Sequence, residues 1–166
     1  MRLGLGGVAK AYIAECAADL AVASGVNHIL IDAGGDVVAR GHNGERPWTI
    51  GIRDPRSTSA LLATIELHDE SVATSGDYEH FIEIDGQRYH HLLDPRTGAP
   101  ASASQSATVI APKGAAADAL ATGLFVLGHQ GLDRVASFDG VAALIVTNNG
   151  LTRVSSGGAA RFMATG

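Results

Sequence analysis

Cysteine is nearly absent from this sequence: Cys16 is the single one in 166 residues. An intrachain disulfide and a cysteine metal cluster are therefore both excluded. Cys16 falls in an Ala-rich helical pattern, where a buried, unreactive thiol is expected. Aromatic residues make up only 5% of the chain, too few for a surface that stacks single-stranded nucleic acid. Positive charge is also scarce, and a net charge of −5 offers phosphate backbones nothing to dock on. No nucleic-acid partner is expected. No apolar run reaches the ~18 residues of a membrane helix, and no basic-then-apolar leader opens the chain. The compartment is left open. Apolar residues, by contrast, reach 46%, enough for one domain over residues 1–166 with a real core. Glycine is high at 21 residues, so tight turns and close backbone approaches should be frequent.

The pattern along the chain predicts α+β, with a largely antiparallel sheet and packed helices. Residues 8–24 are rich in Ala and Leu and read as a helix ended by Gly25. HILIDAGGD suits a buried strand, and VVARG, WTIGIRD and LLATIEL read as further strands between turn-rich segments. HDESVATSGDYE is polar and is predicted as a turn or short helix. FIEIDGQRYHHLL predicts a hairpin, because Asp85-Gly86 lies between two alternating runs. DPRTGAP reads as an irregular loop, SATVIAP as a strand, and KGAAADALATGLFVLG as a helix closed by Gly128. A short helix near 130–137, the strand AALIVT, the turn NNG and the strand LTRVS complete the chain.

Four places carry candidate chemistry. The opening LGLGGVAK is a glycine-rich helix start that could meet a phosphate. Gly4, Gly6 and Ala9 fit a dinucleotide fingerprint, with Asp32 as its ribose acid, but no strand precedes them and the chain lacks βαβ units. A plain helix start with Lys10 in solvent is the competing reading. Asp118 and Thr122 lie one turn apart on a helix face otherwise built of small apolar residues. A carboxylate and a hydroxyl at that spacing suit Mg²⁺. Alternatively, Asp118 answers the helix dipole in the first turn and Thr122 bonds back to a carbonyl. His90 and His91 alternate across a strand, so one faces inward and the other outward, where a histidine can act as a base at neutral pH. Thr74, Ser75, Gly76 and Asp77 are small groups suited to an anion or to a helix cap. His42, His68 and His80 show no metal-ligand spacing and read as surface residues.

LGLGGVAKAY, IDAGGD, SVATSGDYE, HHLLDPRTGAP and ADALATGLFVLG together resemble the ordered motifs of the ApbE family of FAD:protein FMN transferases. The resemblance implies an ApbE-like, T-fold-related domain whose N-terminal part is absent from this chain. It implies an enzyme that uses Mg²⁺ to cleave FAD, attaches FMN to a Thr or Ser of a target flavoprotein, and releases AMP. Subunits of redox pumps and related reductases are such targets. By motif position, Asp118 and Thr122 would hold Mg²⁺ with the carbonyls of Gly7 and Ala121. Lys10 and the backbone near Leu92 would contact FAD, Thr74 and Ser75 would line its site, and His91 would be the catalytic base. Gly4 stands where most members carry an acidic residue, and Ala11 where they carry glycine. An oligomer or a separate N-terminal half is expected to complete the site. FAD pyrophosphatase activity and a non-catalytic flavin- or metal-binding domain are the alternatives.

Overall fold

The computed structural model describes residues 4–165, with Gln87 by its main chain alone. Helix α1 (Ala9–Ala23) is followed by the hairpin β1 (Ile29–Ala33) and β2 (Asp36–Arg40). Next come β3 (Trp48–Arg53), β4 (Leu61–Leu67), β5 (Ser71–Gly76), and a second hairpin, β6 (Phe81–Ile84) and β7 (Gln87–His90). Strand β8 (Ser104–Ala111) leads into α2 (Gly114–Leu127), and a 3₁₀ turn precedes α3 (Leu132–Ala136). The chain then forms β9 (Ala142–Thr147), β10 (Thr152–Val154) and β11 (Met163–Ala164). The α+β expectation holds: every strand pair is antiparallel. Among the described residues no helix is long and apolar enough to cross a membrane.

Six strands make the main sheet in the order β1-β2-β5-β8-β9-β10, and β11-β4-β3 form a smaller sheet. The main sheet is covered on both faces, which is why β9 is an almost unbroken apolar run and β8 is buried nearly throughout. Ala107, Val109, Ala143 and Ile145 point toward α2 and α3, while Ile110, Ala142, Leu144 and Val146 point toward the small sheet. Alanines at 73, 107, 117 and 121 bring α2 close to the sheet. Helix α1 buries Ala11, Ala14, Glu15 and Ala18, a stripe of one helical face, against β1 and β2.

Two contacts position α2. Its start has no side-chain cap of its own; the Gly114 N–H donates to Glu15 Oε2 of α1 at 3.0 Å. That buried carboxylate satisfies one of the orphan donors at the helix start. A side chain at Gly114 would meet the Ala11 carbonyl oxygen at 2.8 Å, so glycine permits the close helix crossing.

Three expectations are corrected here. SVATSG is a strand, β5, rather than a turn or short helix; it lies between β2 and β8. Its small polar residues conceal a strand because the Thr74 and Ser75 hydroxyls bond within the protein. HILIDA is half-buried, since β1 is the edge of its sheet. Cys16 is half-buried as well, turned away from the stripe that packs on the sheet.

Candidate active site

A cleft of about 530 Å³ opens where the start of α1, the β1–β2 turn, β5, α2 and the segment after β7 converge. Gly7, Lys10, Thr74, Ser75, His91, Leu92, Asp118 and Thr122 all line it. Residues far apart in sequence are thus gathered into one place. Ala121 is not among the lining residues: it is fully buried, with its side chain in the core between α2 and the sheet.

The β1–β2 turn explains the glycine pair. Gly34 and Gly35 have φ of 63° and 92°, a left-handed conformation that suits a tight two-residue hairpin. The Gly35 N–H donates to Asp32 Oδ1 at 2.8 Å, and Lys10 Nζ donates to the Gly34 carbonyl at 3.0 Å. Asp32 therefore braces a turn between antiparallel strands, and the dinucleotide fingerprint is excluded. Lys10 is engaged rather than free in solvent.

The turn delivers Asp36, the acid that closes the IDAGGD motif. Asp36 is 2% exposed, and Lys10 Nζ lies 3.3 Å from its Oδ2. Across from it stands Asp118, close enough to accept a hydrogen bond from protonated Asp36. The Ala11 N–H, in the first turn of α1, also donates to Asp118. Asp118 lies in the second turn of α2, so the first-turn dipole explanation for it fails. Thr122 Oγ1 hydrogen-bonds Ser75 Oγ at 3.1 Å instead of a helix carbonyl, and Thr74 Oγ1 pairs with Thr108 Oγ1 at 2.9 Å. A Cβ at Gly7 would lie 3.4 Å from Thr122 Oγ1, which puts the glycine loop directly over this hydroxyl.

Burial and the charge of Asp118 push the Asp36 carboxyl up to about 6, against the lowering influence of Lys10; burial likewise raises Asp118. Such a group binds its proton more tightly folded than unfolded. Its stabilising contribution is complete below the ordinary carboxyl range and is lost as pH rises toward and through 6. In chelator, the melting temperature should therefore fall between about pH 4 and 7, with up to ~3 kcal/mol at stake from Asp36. Asp36→Asn should flatten that fall; an equally steep curve in the variant would rule out this origin.

Asp36 Oδ2 and Asp118 Oδ2 are both buried, and among the described residues their company is Lys10 and each other rather than a full set of donors. Two such oxygens beside hydroxyls suit a hard cation, so the donor set fits Mg²⁺.

The histidine pair divides as alternation requires. His90 is buried, edge-on to Phe125, with Nε2 3.0 Å from the Ala101 carbonyl. Its Nδ1 accepts the Leu92 N–H at 3.3 Å, so the ring is neutral with the proton on Nε2. Desolvation lowers its pKa and keeps it so. His91 faces the cleft. Its Nδ1 lies 3.3 Å from the His80 carbonyl, which can only accept, so in the neutral ring the proton sits on Nδ1 and the lone pair on Nε2. His80, an exposed residue as expected, also lines the cleft and stacks edge-on with His91. Asp77 does not line the cleft; Arg56 grips it at 2.7 and 2.6 Å. Nothing in the spacing of His80 or Arg56 signalled these partnerships, which depend on where loops return.

Paired carboxylates, hydroxyls, a lysine and a histidine around one cleft are groups that could hold a divalent cation beside a phosphorylated ligand. The ApbE family profile matches residues 1–145, and the chain belongs to the ApbE family. It is 40% identical to the FAD:protein FMN transferase of Treponema pallidum, over 95% of this chain and 47% of that protein. With the FAD:protein FMN transferase of Escherichia coli K12 it shares 37% identity, over 86% and 42% of the two chains. The crystal structure of the ApbE protein of Thermotoga maritima superposes with a TM-score of 0.87 at 41% identity, covering 94% of this chain and 52% of that one. The apo flavinyl transferase ApbE of Pseudomonas stutzeri gives 0.81 at 34% identity, covering 99% and 53%. The chain thus spans about half the length of the curated relatives it matches.

Proposed function

We propose that this chain takes part in Mg²⁺-dependent transfer of FMN from FAD to a Thr or Ser hydroxyl of an acceptor flavoprotein. The observation that carries this reading is the convergence of Asp118, Thr122, Gly7 and His91 on one cleft. Asp118 and Thr122 would hold Mg²⁺ by side-chain oxygens, with carbonyls of Gly7 and Ala121 completing the protein's share. Once bound, the cation offsets negative charge on the pyrophosphate oxygens. Lys10, anchored by Gly34 and Asp36, and the backbone at Leu92 orient FAD, and Thr74 and Ser75 furnish the adjoining wall. His91 Nε2 accepts the proton of the acceptor hydroxyl as its oxygen attacks the FMN phosphorus. The bond to the second phosphate breaks, and AMP departs. The acceptor belongs with redox-pump and reductase subunits.

His91 is also open to solvent, an observation that favours a second reading in which water replaces the hydroxyl and FAD is hydrolysed to FMN and AMP. One assay separates the two: FAD and Mg²⁺ with and without an unflavinylated redox-pump subunit. AMP formed together with flavin covalently bound to protein supports transfer. FMN and AMP at the same rate without the subunit support hydrolysis, and absence of AMP in both sinks the proposal.

A further inference from the structure

The β6–β7 hairpin is a two-stranded sheet on its own, with no third strand beside it among the described residues. Its register pairs Phe81 with His90, Ile82 with Tyr89, Glu83 with Arg88 and Ile84 with Gln87. Alternation then sorts the side chains onto two faces. On one face Arg88 lies over the Phe81 ring at 4.6 Å and reaches Asp77, and His90 is buried, while Phe81 and Glu83 themselves stay exposed. The other face carries Ile82 and Ile84, 61% and 51% exposed, together with Tyr89 and, continuing the alternation, His91. An exposed β-branched strip that ends on the residue read as the base is unlike scattered surface leucines.

We infer that this strip docks the acceptor: an extended segment of the acceptor polypeptide lies along β6, with apolar side chains set on Ile82 and Ile84. The inference rests on the transferase reading, because it needs the hydroxyl at His91. That hydroxyl must come within hydrogen-bond reach of Nε2. His80 stands across from His91, and Ile82 and Ile84 follow it by two and four residues on the same face. At ~3.3 Å per residue they lie roughly 7 and 13 Å further out. An extended segment with its Thr or Ser at His91 therefore presents its side chains two and four positions away to the two isoleucines.

The test uses the whole chain with Ile82→Ser and Ile84→Ser combined, an unflavinylated redox-pump subunit as acceptor, and Ile13→Ser as control. Ile13 is 65% exposed on α1, away from the hairpin. The double variant should raise the KM for the acceptor about tenfold, with kcat and FAD affinity unchanged, while the control changes nothing. In otherwise unaltered protein, a photo-crosslinking side chain at position 84 should capture the subunit. An unchanged KM overturns the docking inference while transfer itself stands. Absence of transfer by the unaltered chain sinks the transferase reading alone, and crosslinking still decides the surface: capture supports docking and no capture overturns it. A dimer in light scattering that becomes monomeric in the double variant would assign the strip to a second copy and overturn the inference too.

Discussion

His91→Ala should lower FMN transfer by about 10²–10⁴-fold while leaving Mg²⁺ affinity and thermal stability nearly unchanged. The size follows from the proposed role. A positioned base that accepts the hydroxyl proton contributes that range, and the neighbouring His90 cannot replace it. His90 is turned into the core and spends both ring nitrogens on Ala101 and Leu92. The His80 carbonyl holds the proton of His91 at Nδ1, which directs Nε2 outward. Because the His91 side chain is exposed, truncation creates no core cavity and the melting temperature should hold. His90→Ala should do the reverse in part, lowering stability through the lost contact with Phe125. Covalent flavin on the acceptor, followed by in-gel fluorescence, and AMP release measure the first effect; calorimetry with Mg²⁺ checks that the cation site survives. Transfer within threefold of the unaltered protein would remove His91 from the mechanism.

Asp118→Asn is expected to change the protein in two opposite directions. Without the cation, the variant should be more stable than the unaltered chain above about pH 6, because a buried charge facing Asp36 is gone. With the cation, it should gain nothing. If Mg²⁺ binds as proposed, the unaltered chain at a Mg²⁺ concentration of 100 times Kd should gain about 2.7 kcal/mol, roughly 5–10 °C in a chain of this size. Scanning fluorimetry with and without Mg²⁺ at pH 8 reads both effects in one experiment. A variant that still shifts upward with Mg²⁺ would place the cation elsewhere. A mere loss of structure would lower both curves, so the crossing of signs is diagnostic.

Local patterns in the sequence were sufficient wherever the controlling physics is local. Asp85-Gly86 marked its hairpin because both residues take left-handed angles, φ 52° and 75°, in a two-residue turn. Gly128, at φ 71°, ends α2 where a helix-closing glycine was expected. Helix α1 runs Ala9–Ala23 within the 8–24 expectation, and strands β3, β4, β8 and β9 follow their apolar runs. Alternation alone separated His90 from His91. The motifs also carried the family, since their order and residue types suffice for the resemblance that the profile and the relatives then bear out.

Tertiary structure decided the rest, and each case involves partners distant along the chain. SVATSG becomes a central strand because Thr108 and Thr122 meet its hydroxyls, contacts 34 and 47 residues away in sequence. Glu15 caps a helix that begins 99 residues later. Ala121 sits in the motif helix yet turns its side chain into the core, since packing on the sheet sets the rotation of α2. Asp36 gained its importance only when the β1–β2 turn set it against Asp118 and Lys10, where burial outweighs the lysine and raises its pKa. Residue types and spacing, then, determined which local conformations and which family this chain could adopt. Which oxygens face one another in the cleft was left to long-range packing, because proximity between distant segments has no periodic signature.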